Sequence, residues 1–234
     1  MLTFIASSVI AFGACMSHSV DLFWSFRSPY SYLAIPKTLK LVADYDVTVN
    51  LRPVYPLAVR VPGFFKRADP RFAKYVVLDS RRVAEHEGIP FRFPQPDPIV
   101  QDMATLEVAA EQPYIHRLTR LGAAAQLEGR ALEFVGAIAP VLWDGSVKGW
   151  NEGDHLSKAA SAAGFDLATM DAAITADPDR YEAVIAGNEK DHAASGHWGV
   201  PTFLFGKEPF FGQDRIDLLI WRMQSKGLVR RASR

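Results

Sequence analysis

An α/β fold, with a small sheet divided by an all-helical insertion, is predicted by three features of this sequence. Strand, helix and strand signals follow one another near the start of the chain. A long stretch with helical spacing and no convincing strand signal occupies the middle. Two short strands and a helix close the chain. The 234 residues, 49% of them hydrophobic and including five Trp and fifteen Phe, suffice for one large domain or one domain with a sizeable insertion.

Val20–Phe26 is the first strand. Pro29 then sits where a first helical turn tolerates it, since its missing N–H would be unpaired there anyway. The helix it opens runs to about Val42. Val47-Thr48-Val49-Asn50-Leu51 alternates apolar and polar residues with β-branched Val and Thr, as a second strand does. Strand, helix and strand within ~30 residues make a βαβ unit whose strands lie parallel. An irregular stretch with Pro53, Pro56, Pro62, Gly63 and Pro70 follows. Helical spacing begins at Phe72 and runs to Glu87, and a proline-rich loop with alternating aromatics spans Pro90 to Pro98. Helices are expected around 102–111, 114–127, 130–143, 154–163, 166–175 and 178–195. Val200–Phe205 and Glu208–Phe211 flank Gly206-Lys207 as a hairpin. Gly212-Gln213-Asp214 opens a last helix with Ile216, Leu219, Ile220 and Met223 on one face. The order βαβ, helices, ββα is the thioredoxin arrangement with an all-helical insertion domain. Its parts are an apolar extension at 1–15, a first half at 16–69, the insertion at 70–195 and a second half at 196–234.

Lys plus Arg equals Asp plus Glu at 26 each, so no nucleic-acid or anionic-membrane partner is indicated. Arg230, Arg231 and Arg234 form the one local bias, read as a solvated, frayed end. A single Cys, Cys15, excludes an internal disulfide framework, a zinc–thiolate site and a dithiol redox centre. The six His are scattered, and the nearest pair, His192 and His197, does not share a helix face. No metal site is expected. Residues 1–15 are apolar but lack the basic start of a secretory signal and are short for a membrane span. They are read as a dispensable extension, with Met16 an alternative start, and a cytoplasmic location is the corresponding expectation.

Ser28-Pro29-Tyr30-Ser31 places two serines at the spacing of a Cys-x-x-Cys pair, where a strand hands over to a helix. With F-x-S-P-Y-S-Y-L-A near the start, G-V-P-T-F late and F-F-G-Q-D-R-I-D-L-L at the end, the chain resembles the DsbA-like superfamily. R-R-V-A-E-H-E-G-I-P-F at 81–91 belongs to the same likeness. Within that superfamily it is similar to the branch of 2-hydroxychromene-2-carboxylate isomerases and kappa-class glutathione transferases. The likeness spans essentially the whole chain after Val20.

The resemblance implies glutathione as cofactor, a small aromatic substrate and a homodimer. Redox members carry Cys at the helix start, where the dipole and free N–H groups stabilise a thiolate. With Ser28 there instead, that environment suits the thiolate of a visiting glutathione, with Ser28 as hydrogen-bond donor. The plainer reading is that Ser28 is only a helix cap. Val200 would pair its backbone with the cysteinyl segment as an added strand does, beside a cis Pro201; the alternative is an ordinary edge-strand proline. Gln213 and Asp214 would take the γ-glutamyl end, or else merely cap the last helix. Kappa-class enzymes use an Asn after the second strand, and none aligns within Pro53–Arg71. Arg60, Lys66 and Arg67 stand there instead. Arg60, His197 and Trp198 are candidate substrate contacts, with Trp198 as an aromatic wall or as core.

Overall fold

Val20, Leu22, Phe23 and Trp24 have no exposed surface, which marks the strand carrying them as central. A computed structural model describes residues 18–102 and 105–232; the extension at 1–15, Cys15, Met16 and Arg234 lie outside them. Strand β1 (His18–Trp24) pairs in parallel with β2 (Val47–Pro53) and antiparallel with β3 (Thr202–Phe205), which pairs antiparallel with β4 (Glu208–Phe211). The sheet order is β2-β1-β3-β4. Helix α1 (Pro29–Asp44) is the crossover that joins these parallel neighbours.

The chain belongs to the thioredoxin-fold class by this topology. Short helices α2 (Leu57–Arg60) and α3 (Phe64–Arg67) occupy the stretch expected to be irregular. The helical block holds α4 (Pro70–Glu87), α5 (Pro113–Leu127), α6 (Ala131–Trp143), α7 (His155–Ala162), α8 (Leu167–Ala176) and α9 (Pro178–Ala194). One apolar cluster runs from the sheet (Val20, Leu22, Trp24) through α1 into α5 and α6 (Ile115, Leu118, Phe134, Ile138). Two buried indoles brace the start of α1. Trp24 Nε1 donates to the Ser31 carbonyl at 2.7 Å and Trp143 Nε1 to the Phe26 carbonyl at 3.0 Å. Buried donors and acceptors are thereby satisfied where strand turns into helix.

Two expectations and one alternative reading are corrected. Residues 102–111 are not helical among those described: Gln101 bridges Val108 antiparallel, and Leu106 has φ 59°. The buried Gln112 amide exchanges hydrogen bonds with both Val100 N–H and C=O at 2.8 Å, and Pro113 keeps the residue before it out of helical geometry. Arg230 and Arg231 are not a frayed end either. Tyr45 bridges Arg230, Arg231 N–H donates to the Asp44 carbonyl at 2.7 Å, and Arg230 meets the Asp44 carboxylate at 3.3 Å. Asp214 does not cap the last helix. Gly212, at φ 109°, precedes a single 3₁₀ turn, Gln213–Arg215, and α10 (Ile216–Gln224) continues from it with no side-chain cap.

Candidate active site

Ser28 occupies the N-cap of α1 with extended φ −90° and ψ 119°. Its Oγ accepts from Ser31 N–H at 3.2 Å and donates to the Val200 carbonyl at 3.3 Å. The Val200–Pro201 bond, just before β3, is cis, and the Ser28–Val200 hydrogen bond holds this segment against the helix start. Pro29 has no N–H and Ser31 N–H is taken by the cap. Among the described residues, Tyr30 N–H is left in the first turn without an acceptor. A helix start with one open N–H and an adjacent hydroxyl is suited to a negatively charged atom.

Ser28 and Val200 line a cavity of ≈ 540 Å³. Its walls are aromatic: Phe65 and Phe72 from α3 and α4, Phe93 from the proline-rich loop, Trp143 at the end of α6, and Trp198 and Phe211 near β3 and β4. Tyr30 also lines it, and its hydroxyl donates to Asp79 at 2.7 Å. Burial, together with the Asp79 and Asp214 charges, pushes the Tyr30 phenol well above its ordinary pKa, so it remains a neutral donor. Another cavity, ≈ 570 Å³ and lined by His116, Arg117 and Asp171, holds none of the residues named from the sequence. Its Arg117 is already paired with Asp171 at 2.7 Å.

Of the residues named from the sequence, Ser28, Val200 and Trp198 meet at the aromatic cavity. Pro201, Gln213 and Asp214 stand beside them rather than on its wall. Gly212 N–H donates to the Pro201 carbonyl at 2.9 Å, which ties the 3₁₀ turn carrying Gln213 and Asp214 to the cis proline. Gln213 is buried, whereas Asp214 is solvent-facing and meets Arg215 at 3.6 Å. His197 and Arg60 support the wall from behind. The His197 ring stacks on Phe211 at 3.9 Å and on Trp198 at 5.5 Å, and its Nδ1 accepts from Gly199 N–H at 2.9 Å. Burial lowers the His197 pKa. Arg60 donates to the Trp198 carbonyl at 2.6 Å, and burial lowers the pKa of its guanidinium.

Sequence reasoning overlooked the buried His192 and most of the aromatic wall. Nε2 of His192 faces the Gly199 carbonyl at 2.9 Å, which also accepts from Thr202 Oγ1 at 2.7 Å. The carbonyl fixes the tautomer with the proton on Nε2. Together these donors hold Gly199-Val200-Pro201 in place beneath Ser28. Apart from Trp198, the sequence signal for the wall is the alternating aromatic run at Phe91 and Phe93, of which Phe93 lines it. No group of three or more His, Cys, Asp or Glu suited to a metal occurs among the described residues. Nor is any of their helices long and apolar enough to cross a membrane.

Comparison with known proteins finds the same class of fold. The chain belongs to the DsbA-like thioredoxin domain family, whose profile matches residues 19–224. It is 25% identical over 209 residues to a 2-hydroxychromene-2-carboxylate isomerase of Pseudomonas putida, with 86% of this chain and 91% of that protein covered. A solved 2-hydroxychromene-2-carboxylate isomerase superposes with TM-score 0.63 at 21% identity, covering 89% of this chain and 95% of the other. The cytosolic disulfide reductase DsbM of Pseudomonas aeruginosa, solved with GSH, superposes with TM-score 0.52 at 15% identity over 88% and 99% of the two chains.

Proposed function

We propose that this protein is a glutathione-dependent cis–trans isomerase acting on a conjugated aromatic acid of the 2-hydroxychromene-2-carboxylate type. The observation that carries the reading is Ser28 at the start of α1, hydrogen-bonded to the Val200 carbonyl at the mouth of an aromatic cavity. The relative from Pseudomonas putida, similar over most of both chains, supports the substrate class. The DsbM structure with GSH supports glutathione as the visiting thiol, and that protein's cytosolic setting agrees with a cytoplasmic location here.

Bound glutathione would supply a thiolate that adds reversibly to the substrate's conjugated double bond and leaves again after rotation about it, so that glutathione is not consumed. This is covalent catalysis with a borrowed nucleophile. At the helix start the thiol proton of glutathione would pass to solvent water, and Tyr30 N–H together with Ser28 Oγ–H, turned from the Val200 carbonyl, would donate to the sulfur. Val200 pairs its backbone with the cysteinyl segment, and Gln213 and Asp214 receive the γ-glutamyl end.

Two other readings follow from the same groove: a kappa-like glutathione transferase, in which the adduct persists, and a non-catalytic binding module. Calorimetry with reduced glutathione, followed by absorbance of the two substrate isomers, separates the three. Isomerisation that requires glutathione and leaves its concentration unchanged is the expected result. Net loss of glutathione makes the protein a transferase, and no binding of glutathione removes both enzymatic readings.

A further inference from the structure

One cation stands on the wall of the aromatic cavity, and neither the glutathione reading nor the sequence motifs assign it a task. Arg27 immediately precedes Ser28, and both line the cavity together with Asp97. Arg27 Nε and Nη2 donate to the two carboxylate oxygens of Asp97 at 3.2 and 3.0 Å. Asp97 is itself anchored, since its Oδ1 accepts from Ile99 N–H at 3.0 Å. A guanidinium has five N–H donors in a planar fork. Asp97 engages two, and among the described residues no acceptor takes the other three. The guanidinium is thus held by one edge with its Nη1 end open.

We propose that the open end of Arg27 is the anion subsite of the cavity and selects a substrate carrying a carboxylate. The remaining wall is mostly apolar, with the rings of Phe65, Phe72, Phe93, Trp143, Trp198 and Phe211 prominent in it. A carboxylate buried against such rings is strongly disfavoured unless a cation and its donors meet it. Among the described residues, Arg27 is the single Lys or Arg on that wall. Its fixed plane presents paired N–H groups that match a carboxylate bidentately. Asp97 restrains the fork at a cost, because its own charge opposes the incoming anion. The resulting selectivity is therefore moderate rather than absolute. Placement next to Ser28 puts the acid end of the substrate close to the thiolate, on the side where the conjugated bond must lie. This assignment rests on the aromatic-acid reading above, but its test needs no glutathione.

The probes are trans-cinnamate and the neutral trans-cinnamamide, which share ring and alkene. Binding to the intact protein is read by quenching of tryptophan fluorescence, since Trp143 and Trp198 line the cavity. Wild type is expected to prefer cinnamate by about tenfold. Arg27→Gln should abolish the preference while cinnamamide affinity and the melting temperature change little. Arg27→Lys should retain part of it. Asp97→Asn removes the ion pair yet leaves the cation, so the preference should persist or increase. Equal affinities in wild type, or a preference that survives Arg27→Gln, would overturn the assignment. So would its loss in Asp97→Asn, which would make the ion pair a tether rather than a subsite. The thiol reading stands or falls separately, on whether glutathione binds.

Discussion

His192 has no exposed surface, stacks on Phe23 at 4.8 Å and leaves Nδ1 without a partner. Burial first, and then the Arg60 charge, lower its pKa from 6.5 to about 4. The unfolded chain therefore binds the extra proton between those values. Stability conferred by the neutral ring is complete above pH 6.5 and is lost as pH falls toward 4, by roughly 3 kcal/mol at the limit. His192→Gln retains a donor for Gly199 but cannot take up that proton. Urea unfolding at pH 7.5 and 4.5 is expected to show a drop smaller by about 2–3 kcal/mol in the variant than in wild type. Equal drops would mean that the ring is not buried in its neutral form. Ser28, Val200 and Trp198 were legible in the sequence because short motifs carry them. Arg27 lies within one of those motifs but passed unnoticed, since an Arg is usually just solvated. Phe72, Trp143 and Phe211 are brought together by tertiary packing, which leaves no spacing signal.

At the scale of elements, β2 and α5 approach closely at Gly122. A Cβ built there would lie 2.9 Å from Pro53 Cγ and 3.1 Å from Phe26 Cε2. Helix propensity alone favours Ala over Gly by ~1 kcal/mol. Overpacking against two buried side chains costs typically 1–3 kcal/mol. The second effect is expected to win, so Gly122→Ala should destabilise the protein, as read by its denaturant midpoint; a raised midpoint would show that Pro53 moves aside freely. The parallel strands, the hairpin and most helices are readable because their apolar periods and proline positions agree with the final structure. Residues 102–111 are not. Ala104-Thr105-Leu106-Glu107 and Ala109-Ala110-Glu111 have helix-forming composition, yet Gln112 staples the backbone of Val100 and Ala109 at 2.8 and 2.9 Å. A long-range partner supplied by one side chain overrides local preference there. Arg230 and Arg231 are misread from composition for a related reason: composition reports charge, while the Asp44–Asp46 turn that receives them is distant in sequence.

Across the whole molecule, insertion and sheet share one core. Asn188 on α9 donates to the Pro53 carbonyl of β2 at 2.9 Å and exchanges hydrogen bonds with Gln126 on α5 at 2.7 and 3.0 Å. The apolar cluster is continuous across the same boundary. Unfolding followed by far-ultraviolet and by near-ultraviolet circular dichroism should therefore give coincident transitions; separate midpoints would show that the helical block melts independently. This shared core fixes the helix start, the cis-proline turn and the aromatic cavity relative to one another, and all three meet at Ser28. The decisive measurement is the thiolate absorbance of bound glutathione as a function of pH in wild type and in Ser28→Ala. A charge-assisted hydrogen bond is worth ~1.5–3 kcal/mol, or about one to two pKa units. The variant is expected to raise the pKa of the bound thiol by that amount and to slow isomerisation without abolishing it. Affinity measured below the pKa of the bound thiol should change little, because Gln213 and Asp214 are untouched and Val200 loses only the Ser28 hydroxyl; above that pKa it should fall in step with the shift. If the bound thiol titrates identically in the two proteins, Ser28 is a helix cap and nothing more, and the thiolate-stabilising role is wrong.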